Sequence, residues 1–252
     1  MEVYHTAMMA IDLHSQCELG QQHLMAMRYL EAEAALSAAE AQAWSRQDFD
    51  TLGRLYMPLQ EARRQRRQRS GEGIVRLDLL ADGPKDYVDP RHVIENYPQG
   101  QLLVAGWATL DPARQVRVIQ TELGLYLDTF LGAAYPLRDG TRAVAIIPLP
   151  EVSLPDAQPR SMEELAQALP PHSLILRPDD LPAGAHKGSS QTYGQVMAIW
   201  ERLHAPFLAA ADAQADAIRK MELYRQTIQV DYACELAHQK LSDVAKNLGR
   251  QN

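Results

Sequence analysis

The chain has 252 residues, of which 46% are apolar, and a formal charge of -7. That length and apolar content suit one large domain or two small ones with a real core, and they argue against wholesale disorder. Two cysteines exclude a disulfide-rich scaffold and a four-cysteine zinc site. The acidic balance argues against a general nucleic-acid binder. No stretch approaches the roughly 18 to 20 uninterrupted apolar residues of a membrane span. The opening residues lack the basic start and long apolar run of a secretory signal, so a cytoplasmic location is expected.

Proline divides the sequence. Thirteen of the fifteen prolines lie between Pro84 and Pro182, and only Pro58 and Pro206 fall outside. Residues 1–69 are rich in Ala, Leu, Glu, Gln, Met and Arg, which lose little rotamer freedom in a helix. Met8, Ile11, Leu24, Met27, Leu30, Ala34 and Ala38 recur at helical spacing and predict an apolar face, with a break near Gly20. Asp48 is the expected N-cap of a second helix, Phe49 to about Arg69, which Pro58 should kink.

The middle, residues 70–190, reads as an α/β core. Residues 74–80, 101–105, 143–147 and 173–176 predict four strands. Asp111-Pro112 opens a helix whose apolar face takes in Val116, Ile119, Leu123, Tyr126, Leu127, Phe130 and Leu131. Ser161 with Glu164 forms a capping box for a short helix, Met162 to Leu169. The last strand, helix and strand are expected to form a parallel crossover unit.

Residues 191–252 return to helix. Ser189 or Ser190 caps a helix carrying Val196, Ile199, Trp200, Leu203 and Phe207, with Pro206 breaking the pattern. Two more helices are expected near 212–229 and 232–247, and Gly249 is the expected stop. The fold class read from the chain is therefore α/β: helical N- and C-terminal segments packed with a small mixed or parallel sheet of about four strands.

Internal similarity adds to this. Arg54-Leu55-Tyr56-Met57-Pro58-Leu59 is similar to Arg202-Leu203-His204-Ala205-Pro206-Phe207. Trp200, Leu203, His204 and Phe207 map onto Cys234, Ala237, His238 and Leu241 at a period of 34. Leu36, Ala39, Glu40 and Ala43, followed by Leu52, Tyr56 and Leu59, resemble the two helices of a tetratricopeptide repeat. Residues 30–69 and 196–248 thus resemble helical hairpins of that family, a resemblance that implies stacked helices and a protein-binding surface. Glu40 and His204 replace the small first-helix residue, and the closing proline is absent.

Two segments carry candidate site residues. Arg63, Arg64, Arg66, Arg67 and Arg69 form a run of five arginines in seven positions, pointing several ways around a helix. Residues 1–62 hold three positive and nine negative side chains, so internal pairing competes with an interaction surface. An acidic or phosphorylated ligand suits the rigid donor fork of arginine. The second segment is the loop 177–190, in which Arg177, His186, Lys187, Ser189 and Ser190 could bind a small anion beyond a strand and before a helix. It matches neither GxxxxGK[ST] nor GxGxxG.

Metal and nucleophile signals are weaker. His14 and Glu18 share a helical face near His5, Cys17 and His23, but HExxH is missing and no metal site is expected. Cys17 and Cys234 lie in helical, apolar contexts that predict inert thiols. GxSxG is missing, and no catalytic residue or cofactor is assigned. The leading expectation is a protein-interaction or assembly module that binds a protein partner or forms a homodimer. The alternative is an enzyme acting on a small anionic or phosphorylated substrate at the 177–190 loop.

Overall fold

The computed structural model of the chain describes residues 12–250. Met8 and Ile11 of the predicted apolar face, and His5, lie outside the described residues. In chain order the elements are α1 (Leu13–Met25), α2 (Tyr29–Ser45), α3 (Phe49–Gly71), β1 (Ile74–Leu80), α4 (Pro90–Asn96), β2 (Gly100–Trp107), α5 (Asp111–Glu122), β3 (Leu127–Pro136), β4 (Arg142–Ile147), α6 (Met162–Ala168), β5 (Leu174–Leu176), β6 (Ala185–Lys187), α7 (Ser190–Ala213), α8 (Ala217–Val230) and α9 (Glu235–Gly249). A single 3-10 turn, Pro178–Asp180, precedes β6. Among the described residues no helix is long and apolar enough to cross a membrane.

The chain forms two compact units, Met1–Arg63 with Glu235–Asn252, and Arg64–Cys234. The first is helical. Three-residue connections join α1 to α2 and α2 to α3, which is the length that brings neighbouring helices back alongside each other. Asp48 caps α3, accepting from the Thr51 backbone N–H at 3.0 Å. Ala32, Leu36, Ala39, Ala43, Leu52, Tyr56 and Leu59 are buried at helical spacing, as are Ala237, Leu241 and Ala245 of α9. Gly20 does not break α1. A Cβ there would stand 2.5 Å from Leu36 Cγ, so the glycine permits close approach instead. The turn falls later, at Met27, whose φ is 57°.

The second unit is a mixed α/β fold around an open six-stranded sheet of order β5-β4-β3-β2-β1-β6. β1, β2 and β3 are parallel neighbours, joined through α4 and α5. β4 and β5 continue the sheet antiparallel, and β6 pairs antiparallel with β1. The predicted crossover from β4 through α6 to β5 is therefore corrected: its two strands run in opposite directions. The parallel crossovers sit earlier in the chain, around α4 and α5.

The four expected strands are present, and two were not read from the sequence. β3 occupies residues assigned to the end of the Asp111 helix. That helix stops because Gly124 adopts a left-handed φ of 61° and its N–H bonds the Thr121 carbonyl. The run that follows is buried on both faces, and such a run carries no alternation to distinguish it from a buried helix. Pro58 and Pro206 both sit within continuous helices, so Pro206 does not end α7.

Both faces of the sheet are covered. Leu102, Val104, Leu131, Ala145 and Ile147 face a cluster with Val93 and Ile94 of α4, Val116 of α5 and Leu165 of α6. Leu103, Ala105, Phe130, Val144 and Ile146 face the opposite way, onto Val196, Trp200 and Leu203 of α7. The alternation along each strand follows the pleat. Gly124→Ala should lower the unfolding free energy by about 1–2 kcal/mol, because alanine pays for the left-handed backbone. Urea denaturation followed by circular dichroism measures it.

Candidate functional site

The arginine run divides between burial and surface. Arg63 is 9% exposed and meets Glu33 at 3.1 Å, Ser37 at 3.3 Å and His238 Nε2 at 3.0 Å, all within the first unit. Arg67 is 1% exposed and is one of the largest fully buried side chains of the second unit. These two are core ion-pair members and not surface donors. Arg64 and Arg69 are exposed, and Arg69 pairs with Glu72 at 3.3 Å. Arg66 is half-buried, with its guanidinium 4.3 Å from the Tyr232 ring centroid.

Arg67 organises a buried charge network. Its Nε lies 2.7 Å from Asp128 Oδ2, and its Nη2 donates to Asp231 Oδ1 at 2.9 Å. Its guanidinium also lies over the rings of Trp200 and Tyr232, at 4.5 and 4.7 Å. Asp128 accepts two further bonds, from Ser70 Oγ at 2.7 Å and the Tyr232 hydroxyl at 2.6 Å. Asp231 accepts from His204 Nδ1 at 2.8 Å and from the Ala233 N–H at 3.1 Å. Each carboxylate is thereby fully compensated, which burial of a charge demands.

The protonation states follow. Burial opposes the charge of Arg67, but Asp231 and Asp128 outweigh it and raise its pKa. Burial pushes Asp231 up, yet the Arg67 charge and the His204 bond hold it below the ordinary carboxylate value. Burial works against an imidazolium at His204, but hydrogen bonds to Asp231 and Cys234 prevail and raise its pKa to about 10. His204 is a cation at neutral pH. Burial, followed by the Asp128 charge, keeps the Tyr232 phenol protonated.

A cavity of about 200 Å³ adjoins this network at the amino end of β3, entirely within the second unit. Its wall includes Arg66 of α3, Arg117 and Gln120 of α5, Asp128 and Thr129 of β3, and Trp200 and Tyr232. Arg117 Nε donates to the Thr129 carbonyl at 2.7 Å. Burial, reinforced by the Arg66 and Arg67 charges, lowers the Arg117 pKa to about 10 against the opposing pull of Asp128. Gln120 is 5% exposed and accepts from Thr129 Oγ1 at 3.0 Å.

The 177–190 candidates do not converge. Arg177 is half-exposed beside Asp139, at 3.8 Å. His186 and Lys187 are successive residues of the edge strand β6, opposite Val75 and Ile74 of β1, so the pleat turns their side chains to opposite faces. The His186 ring bonds the Ala183 carbonyl at 2.9 Å. Ser189 spends its Oγ on capping α7 at the Thr192 N–H, and Ser190 is the first residue of that helix. The expected ligand loop is thus an edge strand and a helix cap, with the His186 ring and the Ser189 hydroxyl taken up by local hydrogen bonds.

The metal and cysteine signals resolve similarly. His14 and Glu18 form an exposed pair at 3.2 Å, and among the described residues no three His, Cys, Asp or Glu side chains are placed to hold a metal. Cys17 lines a cavity of about 520 Å³ in the first unit, whose wall begins at Asp12, the first described residue. Burial raises its thiol pKa, so it stays protonated. Cys234, His204 and Asp231 supply the residue types of a nucleophilic triad, but Cys234 is 4% exposed and Asp231 is shared with Arg67.

Sequence reasoning missed Asp128, Asp231, Tyr232, Arg117 and Gln120. One signal was available: Asp128 is a lone acid inside the apolar run Leu127–Pro136, and a carboxylate buried in a strand requires a cation. No protein-family model, curated protein or solved structure matches the chain.

Arg67→Met should cost about 3–5 kcal/mol of unfolding free energy, since it leaves two buried carboxylates without their shared cation. Arg69→Gln, at a half-exposed pair, should change stability by less than about 0.5 kcal/mol. Denaturant titration separates the two. The network also gives stability a pH dependence. The pKa of His204 is raised on folding, so its stabilisation is complete below about 6.5 and is lost as pH rises towards about 10. His204→Gln should flatten that alkaline limb in thermal melts.

Proposed function

We propose that the protein is an interaction and assembly module that works through its helical unit, with a second copy of the same chain as its first partner. The observation that carries this reading is where large apolar side chains meet solvent. Among the described residues five of the eight exposed large apolar side chains belong to the helical unit, namely Leu19, Met25 and Met27 in α1 and the turn after it, Met57 of α3 and Leu236 of α9, while Tyr87, Val118 and Leu123 are the exposed ones of the second unit. Met25 and Met27 stand out, at 86% and 68% exposure. Methionine is flexible and polarisable, so it adapts to an apolar partner surface.

The tetratricopeptide-like pattern at 30–69 supports the same reading, because α2 and α3 supply a helix–turn–helix over the residues that carry it. Repeats of that kind expose extended surfaces for protein contact. The 196–248 segment contributes less, since α7 and α8 belong to the second unit and α9 to the first. Arg64 and Arg69 are the exposed members of the arginine run and would favour an acidic partner. We place the module in the cytoplasm, a setting that suits two free cysteines. We favour this reading over an enzyme acting at the 177–190 loop, because the pleat of β6 turns His186 and Lys187 to opposite faces.

Sedimentation equilibrium over a concentration series tests the proposal. The native chain should show a rising mean mass, and Met25→Glu with Met27→Glu should weaken association by about tenfold or more, as expected for the loss of two apolar contacts. A monomer mass at every concentration for both proteins would overturn it.

A further inference from the structure

We propose that Cys234 is a modification site for a small peroxide, its sulfur being oxidised to the sulfenic acid while His204 gives a proton to the leaving oxygen. The argument lies within the second unit and is independent of the assembly reading.

Three side chains form a connected line. The His204 ring of α7 bonds Asp231 Oδ2 through Nδ1 at 2.8 Å, and it also bonds the Cys234 side chain. With Nδ1 committed to the carboxylate, Nε2 is the nitrogen left for the sulfur. Asp231 is itself held still. Arg67 Nη2 and the Ala233 N–H both donate to its Oδ1, at 2.9 and 3.1 Å, which leaves Oδ2 to set the plane of the ring. The Cys234 N–H bonds the Asp231 carbonyl at 3.0 Å, so one turn of chain after α8 presents acid and thiol together. A thiol beside an imidazole that a third group orients is the arrangement by which proteins activate sulfur.

The charge of the ring selects the chemistry. His204 is a cation at neutral pH, so it does not act as the base of an acyl-transfer triad, and it has a proton to give. Hydrogen peroxide is an electrophile whose leaving group, hydroxide, needs that proton. The sulfur attacks one peroxide oxygen, so an S–O bond forms and the O–O bond breaks. The leaving hydroxide takes the Nε2 proton and departs as water. The thiol proton then passes to Nε2 and restores the imidazolium. Sulfur is oxidised, peroxide oxygen is reduced, and the product is a sulfenic acid.

Burial selects the reagent by size. Cys234 is 4% exposed, too little for glutathione or a peptide thiol to meet the sulfur in line. Hydrogen peroxide is among the smallest oxidants, and the part-buried edge of the His204 ring gives it an approach.

The test uses hydrogen peroxide on the full chain, with dimedone to trap sulfenic acid and peptide mass spectrometry to read each cysteine. Cys17 is the internal reference. It is less buried than Cys234, and burial holds its thiol protonated. If exposure alone set the rate, Cys17 would label first. The expected result is the reverse, with Cys234 faster by about tenfold or more, as a positioned proton donor provides. His204→Gln should slow Cys234 by a similar factor and leave Cys17 unchanged, because glutamine can hydrogen-bond but has no proton to give. The ratio of the two rates should fall as pH rises towards about 10, where His204 loses its proton and an unassisted thiol gains thiolate. Asp231 and Cys234 are the groups acting on His204, with Arg67 on the far oxygen of Asp231, and a structural role for His204 would not move this ratio. Oxidised glutathione should leave Cys234 without an adduct. Labelling of Cys17 as fast as Cys234 would overturn the proposal. So would an unchanged Cys234 rate in a folded His204→Gln protein, or a glutathione adduct at Cys234. Circular dichroism melts verify folding, and if the variant does not fold, the ratio in the native chain and its pH dependence decide.

Discussion

A single buried guanidinium holds the α/β unit to its helices. Arg67 reaches the sheet through Asp128 of β3 and the end of α8 through Asp231, and it lies against Trp200 of α7. Four pieces of chain, far apart in sequence, share one cation. An arginine in this position is expensive to desolvate, and the two carboxylates, helped by the Tyr232 hydroxyl, are what keep it charged.

Much of the fold was legible in local chemistry. Asp48 and Ser161 read as caps and act as caps, and of the pair Ser189 or Ser190 it is Ser189 that caps α7, because capping depends on a few neighbouring backbone donors. The strand at Ile74–Leu80 and the one at Arg142–Ile147 were legible from their branched, apolar character. β3 was not, because a strand covered on both faces has no polar side to betray its period. β6 was not, because three exposed residues become a strand only when β1 lies alongside.

The candidate site was far less legible, for a different reason. Arg63 to Arg69 was visible as a charge run, but which arginine turns inward depends on acids 61 and 164 residues further along the chain from Arg67, at Asp128 and Asp231. Sequence adjacency made the run look uniform, while the helix separates Arg67 in the core from Arg64 and Arg69 in solvent. The 177–190 segment misled in the opposite way. Its polar residues were collected by proximity in sequence, and the pleat of β6 then sent His186 and Lys187 to opposite faces.

The two rims of the sheet have a consequence for how copies of this protein can meet. β5 and β6 are three residues each, and every residue of β6 is solvent-exposed. An incoming strand would find only a few unpaired backbone groups at either rim, and at β6 it would also meet His186 and Lys187. Both borders are short and the β6 border is charged, features that resist templated strand addition and the fibrous aggregates it seeds. The molecule can therefore be crowded without its sheet fusing to that of another copy.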